Sequence, residues 1–219
     1  MRAAIIVFPG SNCDHDAYYV IRKVLNKDVD FIWHKEGSLT NYDFILVPGG
    51  FSYGDYLRAG AIARFSPIME EVIRCANKGI SVMGICNGFQ ILIESGLLPG
   101  ALINNKNVKF LSQNITLKVP STNSIFTQDF KKGQNLDMPI AHRQGNFFAS
   151  EDVVKKLQDD DQIAFIYDEN PNGSMGDIAG IFNENRNVLG MMPHPERAAE
   201  SILGSSDGLA IFESVIENM

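Results

Sequence analysis

The chain has 219 residues, 45% hydrophobic and 21% charged, with a formal net charge of −7. This composition excludes disordered, collagen-like and low-complexity chains, and at this length a single domain can bury roughly 70% of its unfolded surface. The acidic balance and the lack of any Lys/Arg cluster argue against nucleic acid or a membrane surface as partner.

One domain over residues 1–219 is therefore expected. No apolar stretch approaches the ~20 residues of a membrane span. The first apolar run stops at Pro9-Gly10, too short for a signal-peptide core. Three cysteines are too few and too odd in number for a disulfide framework, so a reducing, cytoplasmic setting is expected.

In chain order, Ala3–Phe8 reads as a buried strand. Asp14–Leu25 reads as a helix with Asn12 or Asp14 as its cap. Asp30–His34 and Phe44–Val47 are the next strands, the latter ending at Pro48-Gly49-Gly50. Ile62–Lys78 is helical and stopped by Gly79. Ile80–Ile85 is a strand and Asn87–Ser95 the helix after it. This alternation predicts a doubly wound, mostly parallel α/β sheet.

The second half is less regular. Val108–Leu111 and Ile115–Val119 read as strands, followed by a polar stretch around Lys131–Asp137. Ile163–Tyr167, Ile178–Phe182 and Val188–Met192 are further strands, and Gly208–Ile216 is a closing helix. An antiparallel addition to the parallel core is expected. Ligands of such sheets sit at the carboxyl ends of the parallel strands. The loops beginning at Pro9, Pro48, Cys86 and Pro193 leave those ends.

The sharpest feature is Gly84-Ile85-Cys86-Asn87-Gly88, a Gly-x-nucleophile-x-Gly turn between strand and helix. The glycines admit a turn too tight for a Cβ on either side. The helix N-terminus favours a thiolate at Cys86, and the N–H of Asn87 is placed to meet an oxyanion. A buried structural cysteine is the competing reading. In Met192-Pro193-His194-Pro195-Glu196, His194 is a candidate base and Glu196 its orienting partner. The alternative for His194 is a histidine in a surface turn. Pro48-Gly49-Gly50 could supply further N–H donors, or be a plain turn.

Other candidates carry less. Cys13 lies on the first rim loop without flanking elbow glycines, and Cys75 sits in an amphipathic helix. His142 in Ala141-His142-Arg143 is a rival base. His15 and His34 have no catalytic company. No metal site is visible, for there is no Cys-x-x-Cys and no His pair at ligand spacing. There is no phosphate-cradling Gly-x-x-x-x-Gly-Lys motif, so no cofactor is expected in this chain.

Gly84-x-Cys86-x-Gly88-x-Gln90, His194-x-Glu196 and the Pro-Gly-Gly loop together resemble the class I (triad) glutamine amidotransferase family. Three longer stretches are Pro9–Asp14, Pro48–Ala63 and Asn170–Ser174. They resemble the branch formed by the small glutaminase subunits of phosphoribosylformylglycinamidine synthases, in purine biosynthesis. The resemblance runs from about residue 3 to the C-terminus.

It implies Cys86 as nucleophile, His194 as base and Glu196 as its partner. Gln90 would help to bind glutamine, with Gly50 and Asn87 N–H groups as the oxyanion hole. It also implies a large synthetase subunit as partner, with ATP and Mg held only there, and it allows an additional small subunit. Family members commonly carry an acidic residue in the loop after the Ala-His pair, where this chain has Arg143-Gln144-Gly145. If that loop touches substrate or synthetase, affinity or coupling is expected to differ.

The segment Ser52–Arg64 is expected to contact the synthetase, with Tyr53 and Arg58 as test positions. Two rival readings stand beside this one. The first is a stand-alone cysteine amidohydrolase of similar fold. The second is a non-catalytic module using Cys13 or Cys86 as a redox sensor.

Overall fold

The computed structural model describes all 219 residues. Strand β1 (Arg2–Val7) is apolar from Ala3 onward, and its Ala3–Ile6 core is fully buried on both faces. Helix α1 (Asp14–Tyr19) follows and continues as a π-helical turn over Val20–Val24. Neither Asn12 nor Asp14 caps it. Cys13 occupies the cap position without a side-chain bond, and the N–H groups of Asn12 and Cys13 donate to the Gly49 carbonyl.

Strands β2 (Asp28–Trp33) and β3 (Phe44–Val47) flank β1 in parallel. Helix α2 (Pro67–Asn77) begins later than the periodicity predicts. Pro67 holds Ser66 in an extended conformation, which leaves Ala63–Phe65 as a separate short turn. Strand β4 (Ser81–Ile85) and helix α3 (Asn87–Glu94) follow as expected.

The middle of the chain departs from the sequence reading. Val108–Leu111 is not a strand, since Val108 turns the chain with φ of 58°. The pairing segments are β5 (Ala101–Ile103), β6 (Leu111–Lys118), β7 (Asn135–His142) and β8 (Asn146–Phe148). Ser150 accepts from Val153 N–H to cap α4 (Glu151–Asp159). Strands β9 (Ile163–Tyr167), β10 (Ile178–Phe182) and β11 (Val188–Met191) match the sequence reading, and α5 (Leu209–Glu217) closes the chain.

The main sheet has nine strands in the order β2-β1-β3-β4-β11-β10-β9-β6-β7, and β5 pairs with β8 in a second small sheet. From β2 through β11 the pairs are parallel. From β11 outward they are antiparallel. The mostly parallel sheet with an antiparallel addition is therefore present. A contiguous cluster of 57 buried residues packs both faces. No helix is long and apolar enough to cross a membrane.

Candidate active site

The loops after β1, β3, β4 and β11 meet at one edge of the sheet. Cys86 leaves β4 with φ of 52° and ψ of −106°, a strained backbone for a non-glycine residue. The elbow has no room for side chains beside it. A Cβ on Gly88 would lie 1.8 Å from the Val47 carbonyl oxygen, and one on Gly84 would lie 2.6 Å from Leu92. Cys86 stands at the head of α3, where the N–H of Asn87 has no intrahelical partner.

Cys86 opens into a cavity of about 450 Å³, shared with Gly50, Gln90, Ala141 and His142. That is ordinary room for a small molecule. A larger hollow of about 610 Å³ lies along β6 and β7 but contains no thiol or imidazole. Chemistry, not size, singles out the smaller one.

Gly50 is held by the Pro9–Asp14 loop. The Gly49 carbonyl accepts from Asn12 N–H at 3.3 Å and Cys13 N–H at 3.2 Å, while Phe51 N–H donates to the Gly10 carbonyl at 2.9 Å. In a trans peptide the C=O and the next N–H point opposite ways. Gly50 N–H is thus turned away from that loop, and Gly50 lines the cavity. Its φ of 144°, and Asn12 N only 2.6 Å from where a Cβ would sit, leave glycine as the residue that fits.

His194 and Glu196 are buried, and His194 Nδ1 donates to Glu196 Oε1 at 2.6 Å. This bond places a proton on Nδ1, while Nε2 has no hydrogen bond of ordinary geometry. Burial works against a charged imidazole here. The Glu196 carboxylate and the Cys86 and Cys13 thiols outweigh it and hold the His194 pKa well above its ordinary value. His142 takes the opposite course: burial first, then the charge at His194, lower it to about 4. His142 is therefore a neutral neighbour and a poor rival for the base.

The structure also brings Cys13 to His194. Ligand atoms of Cys13, His194 and Glu196 lie within 4.8 Å of one another. Arg197 Nη2 donates to Cys13 Sγ at 3.2 Å. Burial pushes the Cys13 thiol up, and it is Cys86, not Cys13, that lines the cavity. Cys75 is a core side chain, and all three cysteines are unpaired.

Gln90 lines the cavity with its amide engaged inside the protein. Its Oε1 accepts from Asn87 Nδ2 at 2.9 Å, and its Nε2 donates to the Gln144 carbonyl at 2.6 Å. Asn87 Oδ1 in turn accepts from Ser52 N–H at 3.0 Å. These bonds tie the loop after Gly50, the elbow and the Arg143–Gly145 loop into one wall. Asp55 also faces the cavity, and burial raises its carboxyl to about 6. Sequence reasoning missed Asp55 and Asn105, because isolated polar residues in loops carry no spacing signal.

The chain matches the CobB/CobQ-like glutamine amidotransferase domain over residues 1–208. It belongs to that family. This amidotransferase is similar to a chain in the structure of PurLQS from Thermotoga maritima, at 43% identity over 99% of this chain and 97% of that one, with a TM-score of 0.91. A glutamine amidotransferase from Thermotoga maritima shares the fold at 17% identity over 99% of this chain and 96% of that chain, with a TM-score of 0.64. So does the glutaminase domain of CTPS from Trypanosoma brucei with bound acivicin, at 13% identity over 100% and 95%, with a TM-score of 0.62.

Proposed function

We propose that this amidotransferase is the glutaminase subunit of a phosphoribosylformylglycinamidine synthase. The observation that carries the reading is the 43% identity to a PurLQS chain over almost the full length of both. In this reading the Cys86 thiol gives its proton to His194 Nε2, and the thiolate attacks the side-chain amide carbon of glutamine. The N–H groups of Gly50 and Asn87 hold the tetrahedral oxyanion. The C–N bond breaks as His194 returns the proton to departing ammonia, leaving a thioester on Cys86. Water, deprotonated by His194, then releases glutamate and restores the thiol. Glu196 keeps the imidazole in the tautomer that this sequence needs.

Ammonia is the useful product and passes to a large synthetase subunit in the cytoplasm. That subunit would hold the ATP and Mg and convert the formamide of formylglycinamide ribonucleotide to an amidine. The segment from Ser52 to Arg64 is the proposed contact with it. Within that segment Tyr53 turns inward, its hydroxyl bonded to His34 Nδ1 at 2.8 Å and Ser66 Oγ at 2.9 Å. Arg58 is paired with Glu94. Tyr56 and Leu57 are the segment's exposed large apolar side chains, at 74% and 89%. They replace Tyr53 and Arg58 as the positions to test.

The deciding experiment assembles the chain with its candidate synthetase and follows glutamate and amidine formation. Cys86→Ala is expected to abolish both with glutamine as donor, while synthesis from ammonium persists. Glutamine hydrolysis without any amidine product would favour the stand-alone amidohydrolase.

A further inference from the structure

Among the residues lining the Cys86 cavity, two carry charge at neutral pH, Asp55 and Arg143. Arg143 stands apart from the other arginines of the protein. Five of those pair with carboxylates. Arg64 lies over the Phe65 ring, and Arg186 donates to the carbonyls of Asp160 and Asp161. Arg143 alone has no partner for its guanidinium.

Its backbone, by contrast, is pinned. The Arg143 carbonyl accepts from Asn105 N–H at 2.8 Å, and Gly145 N–H donates to Asn105 Oδ1 at 3.1 Å. A free guanidinium is thus presented from a fixed loop. Asp55 is a similar case. It is half-buried, has φ of 55°, and its nearest donor is Asn87 Nδ2 at 3.5 Å. A half-buried carboxyl with no cation beside it is costly to keep. An unpaired anion and an unpaired cation around one cavity complement a zwitterion.

We propose that Arg143 and Asp55 recognise the amino-acid end of glutamine, Arg143 taking the α-carboxylate and Asp55 the α-ammonium. The inference rests on the glutaminase reading. Guanidinium and carboxylate match in a planar, two-point contact. Asp55 reaches the reacting centre through Asn87, the residue after the nucleophile, so both ends of the substrate are referred to one turn of backbone. The pair makes the site specific for a free amino acid over a bare amide.

The test uses the assembled complex and three substrates: glutamine, its decarboxy analogue and its deamino analogue. Arg143→Gln is expected to raise KM for glutamine by about tenfold or more. That factor should exceed any change in kcat. The variant should lose the preference for glutamine over the decarboxy analogue and keep the preference over the deamino analogue. Asp55→Asn should show the converse. Alkylation of Cys86 by iodoacetamide, which has no amino-acid end, should proceed at the wild-type rate in both.

Unchanged KM and preferences would overturn the assignment while leaving the glutaminase reading intact. Equal loss of both preferences in each variant, or slowed alkylation, would likewise overturn it, since either marks general damage to the site. Absence of glutamine turnover by the wild-type complex would overturn both readings.

Discussion

His142 shows how a single side chain acquires its state. Asn105 Nδ2 donates to the carbonyls of His142 and Lys109, so Asn105 Oδ1 is turned toward His142 Nδ1 at 3.0 Å. Nδ1 therefore carries the proton and Nε2 is bare and unpartnered. The folded pKa of about 4 lies below the ordinary 6.5. In that window the unfolded chain binds more protons than the folded one. The contribution to stability is full above about 6.5 and is lost as pH falls toward about 4, amounting to ~3 kcal/mol. Asp55, raised to about 6, acts in the opposite direction over part of this window, so the test compares variants. In urea unfolding the loss of stability on acidification should be smaller in His142→Gln than in the wild type. An unaltered slope would remove His142 as its source.

At the scale of elements, the elbow between β4 and α3 is the best-determined part of the site. Gly84 and Gly88 were legible because steric exclusion acts through neighbouring backbone. Gly88→Ala is expected to cost at least ~3 kcal/mol, since the new Cβ meets the Val47 carbonyl and cannot move aside. Gly37→Ala, with nothing within 4 Å, should stay within ~0.5 kcal/mol. Denaturant midpoints of the two variants make the comparison. Strand β7 lies at the other extreme. The sequence shows only a polar stretch around Lys131–Asp137 and no strand after it, yet Asn135–His142 pairs along all of β6. Its buried residues alternate, Leu136, Met138, Ile140 and His142, and Pro139 sits mid-strand on a sheet edge where no ladder bond is lost.

Across the whole molecule, the order of the sheet decides what meets what. Strands β1, β3, β4 and β11 are neighbours, so loops separated by more than a hundred residues share one edge. The segment from Ser52 onward leaves that edge and exposes Leu57 in a left-handed conformation, with φ of 70°. Aspartate tolerates that backbone better than leucine. Leu57→Asp is therefore expected to leave the stability of the isolated chain unchanged within ~0.5 kcal/mol. It should also lower the synthetase-stimulated glutaminase several-fold. Stimulation equal to wild type would remove Leu57 from the proposed interface.

The residues alone determined the βαβ core, the elbow at Cys86 and the candidacy of His194 and Glu196. These depend on short-range rules: apolar runs that need two covers, turns that exclude Cβ atoms, and a base whose partner is two residues away. The company those residues keep was set by the fold. It placed Cys13 against His194, engaged Gln90 on both sides, turned Tyr53 inward and left Arg143 without a partner. Such pairings depend on which strands become neighbours. That choice is set by packing of the whole core, to which a lone Asp55 or Asn105 adds no periodic signal.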